Sequence, residues 1–285
     1  KRRDTTGNHW LNDVIRGATK GLHSDSTNTE YTDATVMNAF NSDGFTVVSH
    51  AISNASTATY VAWNWKAGGS ASSNTDGTNI TSSISANPDA GFSIVSWTGT
   101  GVGSDSVGHG LTQKPEMVIC KARTSAGSNY WHVNHKDLTA SDYNIFLHLT
   151  SAQTDVNTNY AEGGIGLGDA DVIDFIAGYS GANNVANCNN SSSNFIAYCF
   201  HSVEGFSKVG SFVGNGSTNG TFVNTGFRPA WLMLKRADSA ASWLIYDKER
   251  DFFNQMQFPL FPNVNNVEYT SNLLHVDFLS NGFKI

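Results

Sequence analysis

The sequence predicts an all-β fold built from tandem antiparallel β-sandwich or jelly-roll-like domains. Serine, threonine, asparagine and glycine supply 114 of the 285 residues, and these residue types favour turns, caps and strands over helix interiors. Short apolar or alternating runs are bounded by glycine, proline, asparagine and serine, which is the pattern typical of strands. An internal repeat of about 114 residues indicates that one structural unit occurs more than once.

The repeat is clearest between the middle and the end of the chain. Residues 91–101 recur as residues 205–215, which is an offset of 114 residues. The register continues along the chain, where the corresponding pairs are Pro115 and Pro229, Lys121 and Lys235, and, after a shortening of two residues, Trp131 and Trp243.

A partial unit precedes these two. The run Lys1-Arg2-Arg3-Asp4 resembles residues 235–238, and residues 40–47 match residues 278–285, so we expect both ends of the chain to be cut within a unit. A period this long is typical of duplicated whole domains and too long for a solenoid. The expected division is a first unit at 1–66 that lacks its beginning, a linker rich in glycine, serine, asparagine and threonine at 67–90, a complete second unit at 91–204, and a third unit at 205–285 that lacks its end.

Local patterns within a unit predict hairpins and a closing strand. Asp43-Gly44 and Asn281-Gly282 are residue pairs that supply positive φ in tight hairpins. In residues 61–65 and 196–200, alternate positions are apolar or aromatic and therefore share one strand face. The same stripe in two units favours a shared packing role.

Charge and cysteine content exclude several classes of protein. The formal net charge is −7 and the 17 lysines and arginines are scattered, which argues against a nucleic-acid partner. No apolar run approaches the ~20 residues of a membrane helix, so we expect no membrane insertion. Cys120, Cys188 and Cys199 are odd in number and lack a Cys-x-x-Cys spacing, so we expect passive buried thiols instead of a disulfide framework or a zinc site.

An acidic cluster offers a candidate calcium site. Asp169, Asp171 and Asp174 follow a glycine-rich run and could surround Ca²⁺, which prefers hard oxygen ligands. The cluster lacks the spacing of an EF-hand loop, and a solvated turn between strands is the favoured alternative. Apart from calcium at this cluster, the sequence predicts no cofactor.

Two further sets of residues suggest catalysis if the protein is an enzyme. Paired carboxylates for glycoside hydrolysis can be drawn from Glu162, Asp169 and Asp171. The acid and base of a polysaccharide lyase can be drawn from His132, His135 and Tyr130. The third unit has Leu244 and Asp247 at the positions of the two histidines, so such a role would belong to one unit only. The favoured alternative is that the protein is not an enzyme.

Aromatic residues are the candidates for stacking on sugar rings. Trp97, Tyr143 and Tyr179 are the candidate platforms. Trp10, Trp131 and Trp243 occupy corresponding repeat positions and are instead expected to pack in cores, because a duplicated fold retains its packing residues first.

Several segments of the sequence resemble those of a known family. They are residues 214–223, residues 225–236, Trp243-Leu244-Ile245-Tyr246-Asp247 and residues 278–283. Together with the repeat, they make the whole chain resemble an uncharacterised β-rich repeat domain of tail-fibre-like and other virion structural proteins of tailed bacteriophages, many of them marine. The resemblance implies a place on the virion surface, outside the cell, and an adhesive or structural task. It transfers no catalytic residue.

Three functional hypotheses follow from the resemblance and the composition. The first is a non-enzymatic phage virion protein, a tail fibre or surface appendage that attaches to host-surface glycan. The second is an enzyme that depolymerises polysaccharide, either a glycoside hydrolase or a lyase. The third is a purely structural filament or capsid-decorating subunit. The expected partners are identical subunits, other virion proteins and cell-surface polysaccharide. By analogy with other phage fibres, the identical subunits are expected to form a homotrimer or another homo-oligomer.

Overall fold

The computed structural model describes residues 1–125, 127–181, 183–251, 254–270 and 274–285 and has an all-β sandwich fold. Its strands are β1 (Trp10–Leu11), β2 (Lys20–His23), β3 (Tyr31–Thr32), β4 (Met37–Asn41), β5 (Gly44–Val47), β6 (Ser72–Asn74), β7 (Ser82–Asn87), β8 (Phe92–Thr98), β9 (Ser106–Gly108), β10 (Met117–Ala122), β11 (Trp131–His135), β12 (Tyr143–Phe146), β13 (Thr154–Asp155), β14 (Gly164–Ile165), β15 (Val172–Ile176), β16 (Asn194–Phe200), β17 (Phe222–Asn224), β18 (Trp231–Leu234), β19 (Leu244–Asp247), β20 (Asp277–Leu279) and β21 (Gly282–Lys284). The short helices are α1 (Ala51–Asn54), α2 (Val156–Asn159), α3 (Ala186–Asn189) and a 3-10 helix at Pro88–Ala90.

One large sheet organises the molecule. Its eight antiparallel strands lie in the order β13-β12-β11-β10-β16-β8-β7-β6. The central strands β8, β10 and β16 are apolar on both faces, as expected of strands that are covered on both sides. The smaller sheets have the orders β1-β2-β3, β14-β15-β9, β17-β21-β20, β18-β19 and β4-β5.

One face of the large sheet forms a sandwich with the sheet β14-β15-β9. Ile165, Ile173 and Val107 of the small sheet pack against Val95 and Phe195 of the large sheet. The three cysteines also lie in this core and are free thiols, and burial raises the pKa of the Cys199 thiol. The expectation that the cysteines are passive and buried is consistent with this placement.

The opposite face of the large sheet packs against the first and last parts of the chain. Leu22 from β2 and Trp243 next to β19 join a core with Ile94, Ile196 and Trp131. The sheets β1-β2-β3 and β18-β19 therefore pack on this face of the central sheet, whereas Phe278 and Phe283 of the sheet β17-β21-β20 lie in a separate core. The cause is the second apolar face of the central strands, which has to be covered.

Segment 67–90, which the sequence predicts to be a linker, differs from that prediction. It contains β6 and β7, which pair in sequence at the edge of the large sheet. Ile84 is buried in the sandwich core, and the Ser82 hydroxyl donates to the carbonyl of Gly108 at 2.8 Å. Strands at the edge of a sheet that are rich in serine and threonine have the composition of a linker. The alternation of serine with Ile84, however, is the pattern of a strand.

The two expected hairpins form, with turns one residue earlier than predicted. β4 and β5 close at the pair Asn41 and Gly44, and β20 and β21 close at the pair Leu279 and Gly282. Each glycine is thus the first residue of the returning strand and lies outside the left-handed region. The turn residues are Ser42-Asp43 and Ser280-Asn281, so positive φ is not what these glycines provide.

Three lysines that the predicted repeat aligns with one another join distant parts of the chain. Burial lowers the pKa of each ammonium group to about 8. Each group donates to a backbone carbonyl at least 85 residues away. The bonds define junction 1 (Lys121 to Thr27, 3.2 Å), junction 2 (Lys1 to Asn265, 3.1 Å) and junction 3 (Lys235 to Thr150, 3.3 Å).

Two residues beyond each lysine, a backbone hydrogen bond closes the junction. The N–H groups of Glu30, Glu268 and Gln153 donate to the carbonyls of Arg123 (2.8 Å), Arg3 (2.9 Å) and Ala237 (2.7 Å), respectively. At junctions 1 and 2 the arginine side chain also pairs with the glutamate, at 2.9 and 2.8 Å. At junction 3 alanine and glutamine replace both charged partners.

A second arginine completes the ion-pair network at junctions 1 and 2. Both of these arginines are almost completely buried. Their partners are Asp13 (2.5 Å) and Glu30 (3.6 Å) for Arg16, and Asp247 (2.6 Å) and Glu268 (2.6 Å) for Arg250. Each network therefore contains two guanidinium groups and two carboxylates.

One aromatic residue from each of the two predicted stripes donates a hydrogen bond to one of these networks. The Tyr198 hydroxyl donates to Asp13 at 2.9 Å, and the Trp63 indole N–H donates to Asp247 at 2.8 Å. Both aromatic residues come from a part of the chain other than that of the carboxylate. Such recurrence is what an internal repeat would produce, and the division into three units stays a prediction.

Junction 3 provides a natural template for testing junction 1. Arg123→Ala or Glu30→Gln alone leaves a charged partner with less compensation, so we expect each to lower the free energy of unfolding by about 1–3 kcal/mol. The double variant reproduces the alanine and glutamine of junction 3. Its loss in free energy of unfolding should be about 1 kcal/mol smaller than the sum of the losses in the two single variants. Urea unfolding of the four proteins measures this coupling.

The control for this cycle is Arg236→Ala, which removes an exposed ion pair with Asp238 and should change stability by less than about 1 kcal/mol. Strict additivity of the two junction variants would contradict the proposed coupling between Arg123 and Glu30.

Candidate functional site

His132 and Tyr130 lie in an aromatic cluster at β11. The His132 ring is completely buried, its Nδ1 is 3.0 Å from Asn144 Oδ1, and burial lowers its pKa to about 4. The ring centroid of Tyr130 lies 6.3 Å from that of His132 and 4.8 Å from that of His148. The two candidate residues are therefore neighbours, but His132 has no exposed surface through which to reach a polysaccharide.

His135 lies on the opposite face of β11 from His132. Residues three apart on a strand point in opposite directions, so the two histidines do not converge. His135 Nδ1 accepts a hydrogen bond from the backbone N–H of Asp137 at 3.1 Å, and burial lowers the pKa of the ring. In this fold the pair does not have the geometry of an acid and a base acting on one bond.

The candidate carboxylates accept hydrogen bonds from nearby backbone groups. Asp169 Oδ1 accepts from the N–H groups of Asp171 (2.9 Å) and Val172 (3.1 Å), and these bonds lower the pKa of Asp169. Asp174 Oδ1 accepts from the N–H of Gly168 at 2.8 Å. These contacts are those of a capped turn, which is the alternative that the sequence favoured.

The acidic residues do not converge on a metal site. Within the described ranges, no group of three or more histidine, cysteine, aspartate or glutamate side chains is arranged to hold a metal ion. Glu162 lies apart and accepts from the N–H (2.9 Å) and hydroxyl (2.7 Å) of Ser128. In the described residues, the side chains of Asp169, Asp171 and Asp174 are therefore not arranged to coordinate Ca²⁺.

The three candidate sugar platforms have different exposures. Trp97 is a correction to the sequence prediction, because its ring is 3% exposed and stacks on Phe195 with 5.4 Å between centroids. Its strand position alternates with Ser96, so it points into the sandwich core. Tyr143 is half-buried on β12, whereas Tyr179 is 64% exposed.

A hydroxyl-rich groove of 400 Å³ lies at the edge of the large sheet. We call it the serine groove, and it is lined by Ala71, Ser72, Ser73, Thr81, Ser82, Ser83, Ser96, Trp97, Thr98 and Asn194. Strand pairing aligns its floor, because Ser83 lies opposite both Ser73 and Ser96. Sequence reasoning missed this groove because its serines were assigned to a linker, although their period of two was visible.

A second cavity of 270 Å³ lies beside junction 2. It is lined by Thr6, Phe261, Asn266, Val267, Glu268, Tyr269 and Thr270. Thr6 comes from the start of the chain and the other lining residues come from its end. Only the packing of these two parts against each other forms this cavity.

Two tryptophans at corresponding positions are held by different acceptors. The backbone N–H of Trp131 donates to His148 Nδ1 at 3.4 Å, and that of Trp243 donates to Asn263 Oδ1 at 3.0 Å. Burial lowers the pKa of His148 to about 3, so the ring is neutral and accepts through Nδ1. His148 thus has a structural role that asparagine fulfils at the other position.

The architecture defines an all-β sandwich protein with shallow polar surface sites. The chain belongs to the family described as a domain of unknown function, DUF7483, whose model matches residues 1–285. No curated protein and no solved structure matches the chain. Among the helices of the described residues, none has the length and apolar character needed to cross a membrane.

The lowered pKa of His148 predicts that the folded protein loses stability in acid. Because its pKa is lowered in the folded state, the unfolded chain binds an extra proton as pH falls below 6.5, and folding stability is lost. The His148→Asn variant should keep the hydrogen bond that the Trp131 N–H donates. Between pH 6.5 and pH 4, its free energy of unfolding should fall by about 2 kcal/mol less than that of the unsubstituted protein. Urea unfolding across this pH range measures the difference.

The reciprocal variant, Asn263→His, should make the loss of stability in acid steeper. A pH dependence that is the same in His148→Asn and the unsubstituted protein would show that protonation of His148 does not contribute.

Proposed function

We propose that the protein is a non-enzymatic structural protein of a tailed-phage virion, a tail fibre or surface appendage exposed outside the cell, that attaches to host-surface glycan. The observation that carries the binding part of this proposal is the serine groove. Its placement on a virion rests on the resemblance of the repeated phrases. Identical subunits and other virion proteins are the further partners that we propose.

The groove has the chemistry of a site for uncharged sugars. Hydroxyl and amide groups both donate and accept hydrogen bonds, as sugar hydroxyls do. Thr98 Oγ1 lies 3.0 Å from Asn194 Oδ1, and among the residues that the structure describes no lysine, arginine, aspartate or glutamate lines the groove. A neutral glycan would bind there without the cost of desolvating a charge.

The arrangement of the candidate catalytic residues supports binding over cleavage. Hydrolysis of a glycosidic bond uses two carboxylates on either side of the bond, and lyase chemistry requires an accessible base. Glu162 and Asp169 each bind local groups, and His132 is buried. These contacts favour a protein that holds glycan without shortening it.

The proposal predicts that the protein binds neutral polysaccharide without shortening it. The protein is incubated with laminarin, dextran and agarose, and the glycan is followed by size-exclusion chromatography with light scattering. We expect glycan of unchanged length to elute with the protein. Shortened glycan would support the depolymerase instead, and failure of all three polymers to bind would support a purely structural subunit.

A groove variant tests the site itself. Ser73→Arg places a long charged side chain at the exposed edge of the groove, and we expect it to weaken glycan binding about tenfold, which corresponds to ~1.4 kcal/mol. The matched control is Ser217→Arg in an exposed loop, which should bind as the unsubstituted protein does. Equal binding by both variants would contradict the assignment of the groove.

A further inference from the structure

Two exposed tyrosines occupy equivalent settings at junctions 1 and 2. The sequences are Glu30-Tyr31-Thr32 and Glu268-Tyr269-Thr270, and each glutamate is the one that pairs with an arginine from another part of the chain. Tyr31 is 37% exposed and Tyr269 is 40% exposed. Tyr269 becomes part of a cavity only through the packing of Thr6 against the end of the chain, which no local sequence pattern records.

Each tyrosine ring is held by neighbouring aromatic groups. The Tyr269 ring contacts Phe261 edge-on, with 5.7 Å between centroids. Tyr31 lies 5.0 Å from His23 and stacks on Trp10 at 6.4 Å. A ring that is fixed on one side and exposed on the other loses little conformational freedom when a ligand covers it.

The cavity beside junction 2 adds polar groups to the Tyr269 ring. Thr6, Asn266 and Thr270 supply hydroxyl and amide groups, while Val267 and Phe261 supply apolar surface. An apolar wall with a few polar groups is typical of small-molecule sites. A sugar ring has a matching character, with an apolar C–H face and hydroxyls at its edge.

We propose that Tyr31 and Tyr269 are two equivalent platforms, each of which stacks on a pyranose ring of a neutral glycan. The inference rests on the proposed glycan-binding function and adds two sites to the serine groove. A chain that contacts one polymer at several sites binds it more tightly than any single site does.

Charge balance favours a neutral sugar over an acidic one. The network beside Tyr269 contains Arg3, Arg250, Glu268 and Asp247, so two positive and two negative groups compensate each other. The network beside Tyr31 has the same composition. Each guanidinium group of the two networks is paired with a carboxylate, so the described residues of the networks leave a carboxylated sugar no unpaired arginine.

Junction 3 lacks the platform. The residue that follows Gln153 is Thr154, which takes the place of the tyrosine, and the charged network is absent there as well. The proposal therefore specifies two tyrosine platforms per chain and not three. This number makes a stoichiometric test possible.

The Tyr31 platform is connected to the serine groove, whereas Tyr269 belongs to a separate cavity. Arg123, which pairs with Glu30, also donates to the hydroxyl of Ser96 at 3.1 Å, and Ser96 lines the groove. Tyr269 is therefore the cleaner test residue, since its replacement leaves the lining of the groove intact.

The test is isothermal titration calorimetry with tetrasaccharides of laminarin, dextran and agarose, and with an alginate tetrasaccharide as the anionic comparison. Relative to the unsubstituted chain, Tyr269→Ala and Tyr31→Ala should each lose one binding site, and the double variant should lose two. Tyr269→Phe should retain the site, because the stacking surface is preserved. We expect at least tenfold weaker binding of the alginate probe.

Phe206→Ala is the matched control, because it removes an exposed aromatic ring that belongs neither to the junctions nor to the candidate platforms and should not change the stoichiometry. Thermal unfolding of every variant checks that the fold is intact. If the unsubstituted chain binds its tetrasaccharide and the Tyr31 and Tyr269 variants bind it with the same stoichiometry, the platforms are wrong and the groove proposal stands. If the unsubstituted chain binds none of the probes, both proposals are contradicted.

Discussion

The fold depends on hydrogen bonds that cross between distant parts of the chain at three junctions. Lys1, Lys121 and Lys235 are each partly or fully desolvated, and each compensates for this by donating to a carbonyl on another part. Each ammonium group also donates to a nearby carbonyl, so the long-range bond adds to a local one. Junction 1 joins β10 of the central sheet to the segment between β2 and β3, and the cavity beside Tyr269 is lined by residues from both parts of the chain that junction 2 joins.

The three junctions differ in whether they contain charged side chains. Junctions 1 and 2 contain buried arginine and carboxylate pairs, whereas junction 3 has Ala237 and Gln153 at the equivalent places. A segment from a charged junction that packed at junction 3 would bury an unpaired charge, which is strongly unfavourable. The charged residues therefore contribute to the correct order of packing as well as to stability.

The proposed binding surfaces lie where the packing leaves polar or aromatic groups at an edge. The central strands are covered on both faces over most of their length, and only one end of β8 and of β16 reaches the serine groove. The serine groove is at the edge strand, and Tyr31 and Tyr269 stand beside the junctions. Rigid networks below these surfaces would hold them in place before a glycan arrives, which lowers the entropic cost of binding.

The sequence alone determined the all-β class and the positions of the hairpins, because composition and a period of two act locally. The predicted repeat assigned Trp10, Trp131 and Trp243 to cores, and Trp131 and Trp243 lie in one, whereas Trp10 is only half-buried. Tertiary structure decided the rest. It paired Ser82–Asn87 with β8 instead of leaving a linker, buried Trp97, separated His132 from His135, and brought Thr6 to Tyr269. These outcomes depend on contacts between residues far apart in the chain, which no local pattern records.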